Sequence, residues 1–194
     1  MAQLVRASRA GPGDLVFDFG AGYGALTLPL ARTGARVIAI ELDTELAGRL
    51  RQRTRAEPLV TVVEADLRLV PLPRRPFHVV ASLPFSLTTL LCRRLLGDPA
   101  VQLAGAELII AWGAAKWLSD PLPRDRETAR WAARYEMRMV RRVPACCFSP
   151  PPGTEAGYPR IRPRAYRPMV ARAAPKALSQ ASGERAGPRA GGLA

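Results

Sequence analysis

The sequence predicts an α/β fold: a mostly parallel, doubly wound sheet with helices on both faces, followed by a short basic tail. Three observations predict it. Five short apolar runs recur along the first 112 residues, and charged or helically spaced segments separate several of them. The runs are apolar almost throughout rather than alternating, as in strands buried on both faces. After Pro150 the pattern fades into Pro-, Arg- and Gly-rich sequence.

Each element has its own signal. "DLVFDFG" (14–20) is an apolar run closed by glycine and reads as the first strand. "ALTLPLARTG" (25–34) has helical spacing, tolerates Pro29 in its first turns and ends on a glycine. "ARVIAIEL" (35–42) is the second strand, and "DTELAGRLRQRTRA" (43–56) is an amphipathic helix with Asp43 at its start. "LVTVVEAD" (59–66) is the third strand, "PLPRRP" (71–76) a loop and "FHVVASL" (77–83) the fourth strand. Ser86 would cap a helix over 86–97. "AELIIAW" (106–112) is the fifth strand and 118–129 a loop. The alternating stretch 134–144 fits a late antiparallel strand. The stretch 160–180 holds at most one weak helix, and 181–194 is of low complexity and expected to be disordered. The division is a domain over 1–165 and a basic, largely disordered tail over 166–194.

Composition narrows the function classes. The chain has 194 residues, 29 basic against 16 acidic, for a net charge of +13. All but Lys116 and Lys176 of the basic residues are arginine. From Pro159 onward eight basic residues (Arg160, Arg162, Arg164, Arg167, Arg172, Lys176, Arg185 and Arg189) face only Glu184. Arginine forks onto phosphates and stacks on bases, so this balance favours a polyanionic partner; a GC-rich genome would also enrich arginine. No apolar run reaches the roughly 20 residues of a membrane span, and no secretory signal precedes the first strand. The three cysteines, Cys92, Cys146 and Cys147, match neither a disulfide framework nor a zinc spacing. The single histidine, His78, lies inside an apolar run and has no partner ligands in sequence. The expectation is a cytoplasmic, reduced, metal-free protein.

The residues with chemistry sit at strand ends, where doubly wound sheets bind ligands. In "DFGAGYGAL", Gly20, Gly22 and Gly24 permit a tight turn and close approach to a ligand. Glu41 ends the second strand, 17 residues after Gly24, where an acid can accept both ribose hydroxyls; it also fits a solvated strand-end acid. Asp66 ends the third strand and could accept from an adenine amine, or simply cap a turn. The fourth strand ends in Ser82-Leu83-Pro84-Phe85. A proline cannot continue a central ladder. A transferase acting on an exocyclic amine can use such a turn: acceptors such as the Leu83 carbonyl hold the amine, Phe85 stacks the base, and Pro84 fixes the geometry.

The order glycine loop, Glu, Asp, aromatic turn resembles S-adenosylmethionine-dependent methyltransferases, within them the adenine-N6 group with an Asn-(Leu/Ile/Pro)-Pro-(Tyr/Phe) motif. "GPGDLVFDFGAGYGALTLPLARTGARVIAIELD", "LPFSLTTLLCRRLL" and "TARWAARYEMRMVRRVPACCFSPPP" resemble the Erm-type 23S rRNA adenine-N6-methyltransferases of the ribosomal RNA adenine dimethylase family, over about residues 4–165. The resemblance implies a Rossmann-like methyltransferase fold, S-adenosyl-L-methionine as cofactor, 23S rRNA as partner, a monomer, and resistance to macrolides, lincosamides and streptogramin B. By position it implies that Gly20, Gly22 and Gly24 line the methionine end of the cofactor with Asp18 supporting the loop. Glu41 would bind the ribose and Asp66 the adenine. Ser82, Leu83, Pro84 and Phe85, with Phe148 of the late Phe-x-Pro-x-Pro element (Phe148 to Pro152), would hold the target base, Ser82 lying beside the cofactor as well.

The sequence departs from this family pattern at Ser82, where the family has Asn; at the N-terminus, where a Gln-Asn/His-Phe segment is lacking and truncation is expected; and at the C-terminus, where a basic tail replaces a helical RNA domain. The acid expected after the fifth strand is also missing: Gly113 follows Trp112. A non-catalytic, truncated rRNA-binding remnant is therefore the alternative. A small-subunit rRNA dimethylase and a nicotinamide dehydrogenase fit fewer features.

Overall fold

The apolar runs become strands of a single sheet. A computed structural model of the chain describes residues 1–148 and 151–164. The expected tail over 166–194 lies outside the described residues. The elements are α1 (Ala2–Ser8), β1 (Leu15–Phe19), α2 (Thr27–Ala31), β2 (Arg36–Glu41), α3 (Thr44–Arg53), β3 (Val60–Glu64), β4 (Phe77–Ser82), α4 (Thr88–Gly97), β5 (Leu103–Ala111), α5 (Trp112–Leu118), α6 (Arg126–Arg134), β6 (Tyr135–Val143) and β7 (Ala156–Pro163).

The seven strands lie in the order β3-β2-β1-β4-β5-β7-β6. β1 to β5 are mutually parallel, and β7 enters antiparallel between β5 and β6. The order reverses between β1 and β4, the switch point where such sheets open a ligand crevice. Because β6 runs antiparallel to β7, its carboxyl end lies at the same edge as those of β1 to β5.

Alternation sends side chains to two cores. Leu15, Phe17 and Phe19 of β1 and Phe77, Val79 and Ala81 of β4 pack on one face with Leu91, Leu95 and Trp131. Val16 and Val80 join the opposite face with Leu4, Leu26, Leu30, Ile109 and Tyr158. Asp43 caps α3 by accepting from the Leu46 N–H at 2.9 Å, as its position in sequence suggests.

Four local expectations are corrected. The region 118–129 is not all loop: α6 starts at Arg126, fixed by a reciprocal box in which Asp125 accepts from Thr128 N–H at 2.7 Å. Ser86 does not cap a helix. It lies within a 3₁₀ turn over Phe85–Leu87, and α4 begins at Thr88 without a side-chain cap. The helix expected over 25–34 shrinks to Thr27–Ala31, because the glycine turn extends to Leu26. The pattern after Pro150 does not fade: β7 is a central strand. Pro159 hides it in sequence, and the ladder accommodates the missing N–H through a register shift between Met139 and Arg141 opposite it.

Candidate active site

Three strand ends and one turn build a single cleft. Gly20, Glu41, Asp66 and Pro84 all line a cavity of about 310 Å³, with Ile40, Leu42, Asp43, Ala65, Leu67 and Leu87. Of the sequence candidates, Asp18, Gly22, Gly24, Ser82, Leu83, Phe85 and Phe148 are not in its wall; they support it or face away from it. The apolar walls Leu42, Leu67 and Leu87 were not legible as site residues, although each follows closely on a strand end or turn.

The glycine loop is folded by backbone bonds and by Glu41. Gly20, Gly22 and Gly24 have φ of 72°, 53° and 83°, the left-handed region that side chains disfavour. The N–H groups of Gly20 and Ala21 both donate to the Ile40 carbonyl, at 2.9 and 3.0 Å. Glu41 is nearly buried. Its Oε2 accepts from Gly22 N–H at 2.8 Å, and its Oε1 from Leu42 and Asp43 N–H at 2.9 and 3.0 Å. A carboxylate offers about four acceptor positions, so three are already used. Acceptance of both hydroxyls of a diol therefore requires one of these three amides to let go.

Asp18 lies inside β1 rather than in the loop, and its side chain reaches α2: Thr27 Oγ1 donates to Oδ2 at 2.6 Å. Oδ1 is buried and has no partner among the described residues. Burial pushes this carboxyl up to about 7; the nearby Glu41 charge adds to the rise and the Thr27 hydrogen bonds oppose it.

Asp66 turns toward its own loop. It accepts from Arg68 N–H at 2.8 Å and from Arg68 Nε at 2.7 Å, and these bonds hold it below the usual carboxylate range. The turn-capping role is therefore real, and the residue still lines the cavity. Arg94 of α4 fixes the same loop by donating to the carbonyls of Leu67 and Val70.

The turn after β4 touches the glycine loop. A Cβ built on Gly20 would stand 3.4 Å from Pro84 Cδ and 3.6 Å from the Ser82 carbonyl oxygen. Leu83 is buried and its N–H donates to the Ile109 carbonyl at 2.9 Å, which anchors the turn to β5. Phe85 and Phe148 are both partly buried against one cluster that includes Val80, Ile109, Val143 and Tyr158. The two aromatics singled out in sequence, 63 residues apart, thus share a face of the sheet. Ser149 and Pro150 of the late proline element lie outside the described residues.

Comparison with known proteins fits this geometry. The family model described as ribosomal RNA adenine dimethylase matches residues 1–173. The chain belongs to the ribosomal RNA adenine dimethylase family. It is 37% identical over 157 residues to the mycinamicin-resistance protein MyrB of Micromonospora griseorubida, covering 81% of this chain and 48% of that one. It is 34% identical over 193 residues to the ribosomal RNA small subunit methyltransferase A of Phenylobacterium zucineum, covering 94% and 67%. The crystal structure of the 23S rRNA methyltransferase ErmE superposes with a TM-score of 0.77 at 27% identity, covering 84% of this chain and 67% of that one. The chain spans about half the length of the curated relatives it matches first.

The adenine dimethylase family implies S-adenosylmethionine, and the residues present fit it. The Glu41 and Asp66 carboxylates supply acceptors in the cavity lining, and the leucines Leu42, Leu67 and Leu87 supply apolar walls. The cavity is at the small end of the range for ligand pockets, about 300–1,000 Å³.

Proposed function

We propose that this chain transfers a methyl group from S-adenosylmethionine to the N6 amine of an adenosine in 23S rRNA, with macrolide, lincosamide and streptogramin B resistance as the consequence. The observation that carries the reading is the contact between Gly20 and Pro84: the turn that would hold the target base abuts the cavity that would hold the cofactor. Similarity to ErmE and to MyrB supports the 23S target and the resistance. The methyltransferase domain would be 1–165, working as a monomer in the cytoplasm. The described helices include none long and apolar enough to cross a membrane.

S-Adenosylmethionine supplies a sulfonium whose methyl is already activated for in-line displacement. The protein's part is positioning. Glu41 and Asp66 hold the ribose and adenine ends, and the glycine loop lets backbone approach the methionine end. Phe85 and Phe148 stack the extruded base. The Ser82 hydroxyl and Leu83 carbonyl would accept hydrogen bonds from the N6 amine and orient its lone pair, and the proton that the amine gives up would pass to solvent.

Ser82 is the observation that favours the second reading, a remnant that binds cofactor or RNA without turnover. Its hydroxyl is shorter than the Asn amide of the family motif. Methyl incorporation from tritiated S-adenosylmethionine into protein-free 23S rRNA, measured for this chain and for Ser82→Asn, decides between them. Label on adenosine with the chain as it stands establishes the transferase. Cofactor binding without label in either form establishes the remnant.

A further inference from the structure

Beyond the cleft, a second constellation stands at the same edge of the sheet. Trp112 opens α5 directly after β5 and is half-buried. Its ring is seated on bare backbone: a Cβ added to Gly157 of β7 would lie 3.3 Å from Trp112 Cε3 and would collide with the Ala115 Cβ. Its backbone N–H donates to the Glu155 carbonyl at 2.9 Å. The Arg142 guanidinium stands 5.1 Å from the ring centroid, and the Lys116 ammonium 5.7 Å from it. One aromatic side chain therefore positions two cations. Lys116 is exposed and the Arg142 side chain is 59% exposed. The one acid in the group, Glu155, pairs with Arg142 and leaves Lys116 without an acidic partner among the described ion pairs.

Position gives this cluster a purpose. Arg142 lies at the end of β6, three residues before the 3₁₀ turn Ala145–Cys147 that leads into Phe148. Ile109, three residues before Trp112, pairs in register with Ser82. The cluster thus follows the carboxyl ends of β5, which pairs with the strand leading into the Ser82 turn, and of β6, which leads to Phe148. A base extruded onto Phe85 and Phe148 drags its flanking phosphates to this edge.

We propose that Trp112, Lys116 and Arg142 form a second RNA subsite, which takes a phosphodiester next to the methylated adenosine. The inference rests on the methyltransferase reading above. The ring pre-orders two flexible cations, so less side-chain entropy is lost when phosphate arrives. The contact carries no base identity; it sets the register of the strand in the site.

The test uses the full chain, protein-free 23S rRNA and filter binding across a salt series, with S-adenosylhomocysteine affinity by calorimetry as the control. The variants are Lys116→Ala with Arg142→Ala, Trp112→Leu, and Lys116→Arg. The double variant is expected to bind RNA roughly tenfold or more weakly. Its slope of log affinity against log salt should be shallower by about 0.7 for each phosphate it no longer neutralises. S-Adenosylhomocysteine affinity and melting temperature should not change, since both side chains are exposed. Trp112→Leu should reproduce part of the weakening, and Lys116→Arg should keep wild-type binding. An unchanged RNA affinity and salt slope in the folded double variant overturns the subsite while leaving the methyltransferase reading standing. Failure of the unaltered chain to bind rRNA overturns both.

Discussion

Gly20 sits against Pro84 across the switch point of the sheet, with 3.4 Å between the position of a Cβ and the proline Cδ. This contact joins the two halves of the site, and it separates two glycine substitutions. Gly20→Ala meets only ordinary contacts, but its φ of 72° strains any side chain by roughly 1–2 kcal/mol. Gly24→Ala carries the same kind of strain and also places its Cβ 2.6 Å from Leu50 Cδ1. Gly24→Ala should therefore lower the melting temperature more. Gly20→Ala should weaken S-adenosylhomocysteine binding more, because Gly20 lines the cavity and Gly24 does not. Calorimetry and thermal melts on both variants check the order; the reverse order in both assays rejects it.

Ser82→Asn should raise methyl transfer. Ser82 lies on the face shared by Phe85 and Phe148, by alternation from Val80. A restored carbonyl acceptor for the amine in the transition state is worth about 10²–10³ in rate. The gain should fall on kcat with little change in KM for RNA, since the bond matters as the amine develops charge. A gain confined to KM would place the side chain outside the reacting geometry.

Much of this was legible in sequence because it is local. Glycine spacing, strand-end acids and the Leu-Pro-Phe turn each sit within a few residues of the element that positions them. Asp43 as a cap is the simplest case. What sequence concealed is non-local. β7 contains two prolines, and its strand character comes from pairing on both sides with β5 and β6. The three amides that occupy Glu41 come from residues on both sides of it, one of them 19 positions earlier. Leu42, Leu67 and Leu87 become cavity walls only when three strand ends converge.

Glu107 is the sharpest stability test. It is fully buried in β5, and it accepts from Tyr158 Oη, from Arg160 Nε at 3.1 Å and from Arg162. Arg162 also donates to the Ala7 carbonyl at 2.8 Å, so one carboxylate links β5, β7 and α1. Removing a buried ionic partner costs about 3–5 kcal/mol. Arg160 and Arg162 are 38% and 29% exposed, so water recovers part of that. Glu107→Gln should lose about 2–3 kcal/mol in urea unfolding, and Tyr158→Phe less, since it removes one neutral donor. Equal stability of Glu107→Gln and the unaltered chain would show that the pairs contribute nothing net.

Asp18 predicts a stability that falls with pH. Its folded pKa, about 7, lies above the ordinary 3.8, so the folded state binds the proton more tightly than the unfolded chain. Its favourable contribution is complete below about pH 4, declines between about 4 and 7, and is gone above that. Between pH 5 and pH 8 this one group should cost the folded state about 2–3 kcal/mol. Asp18→Asn is isosteric, cannot ionise and keeps an oxygen for Thr27 to donate to. The variant should therefore gain on the unaltered chain by that amount as the pH rises from 5 to 8 in urea unfolding. Burial is the main cause of the shift and both carboxyls are buried, so high salt should leave it almost intact. Parallel stability profiles for the two proteins would mean that Asp18 is already ionised at pH 5, with its buried Oδ1 solvated by water beneath the loop.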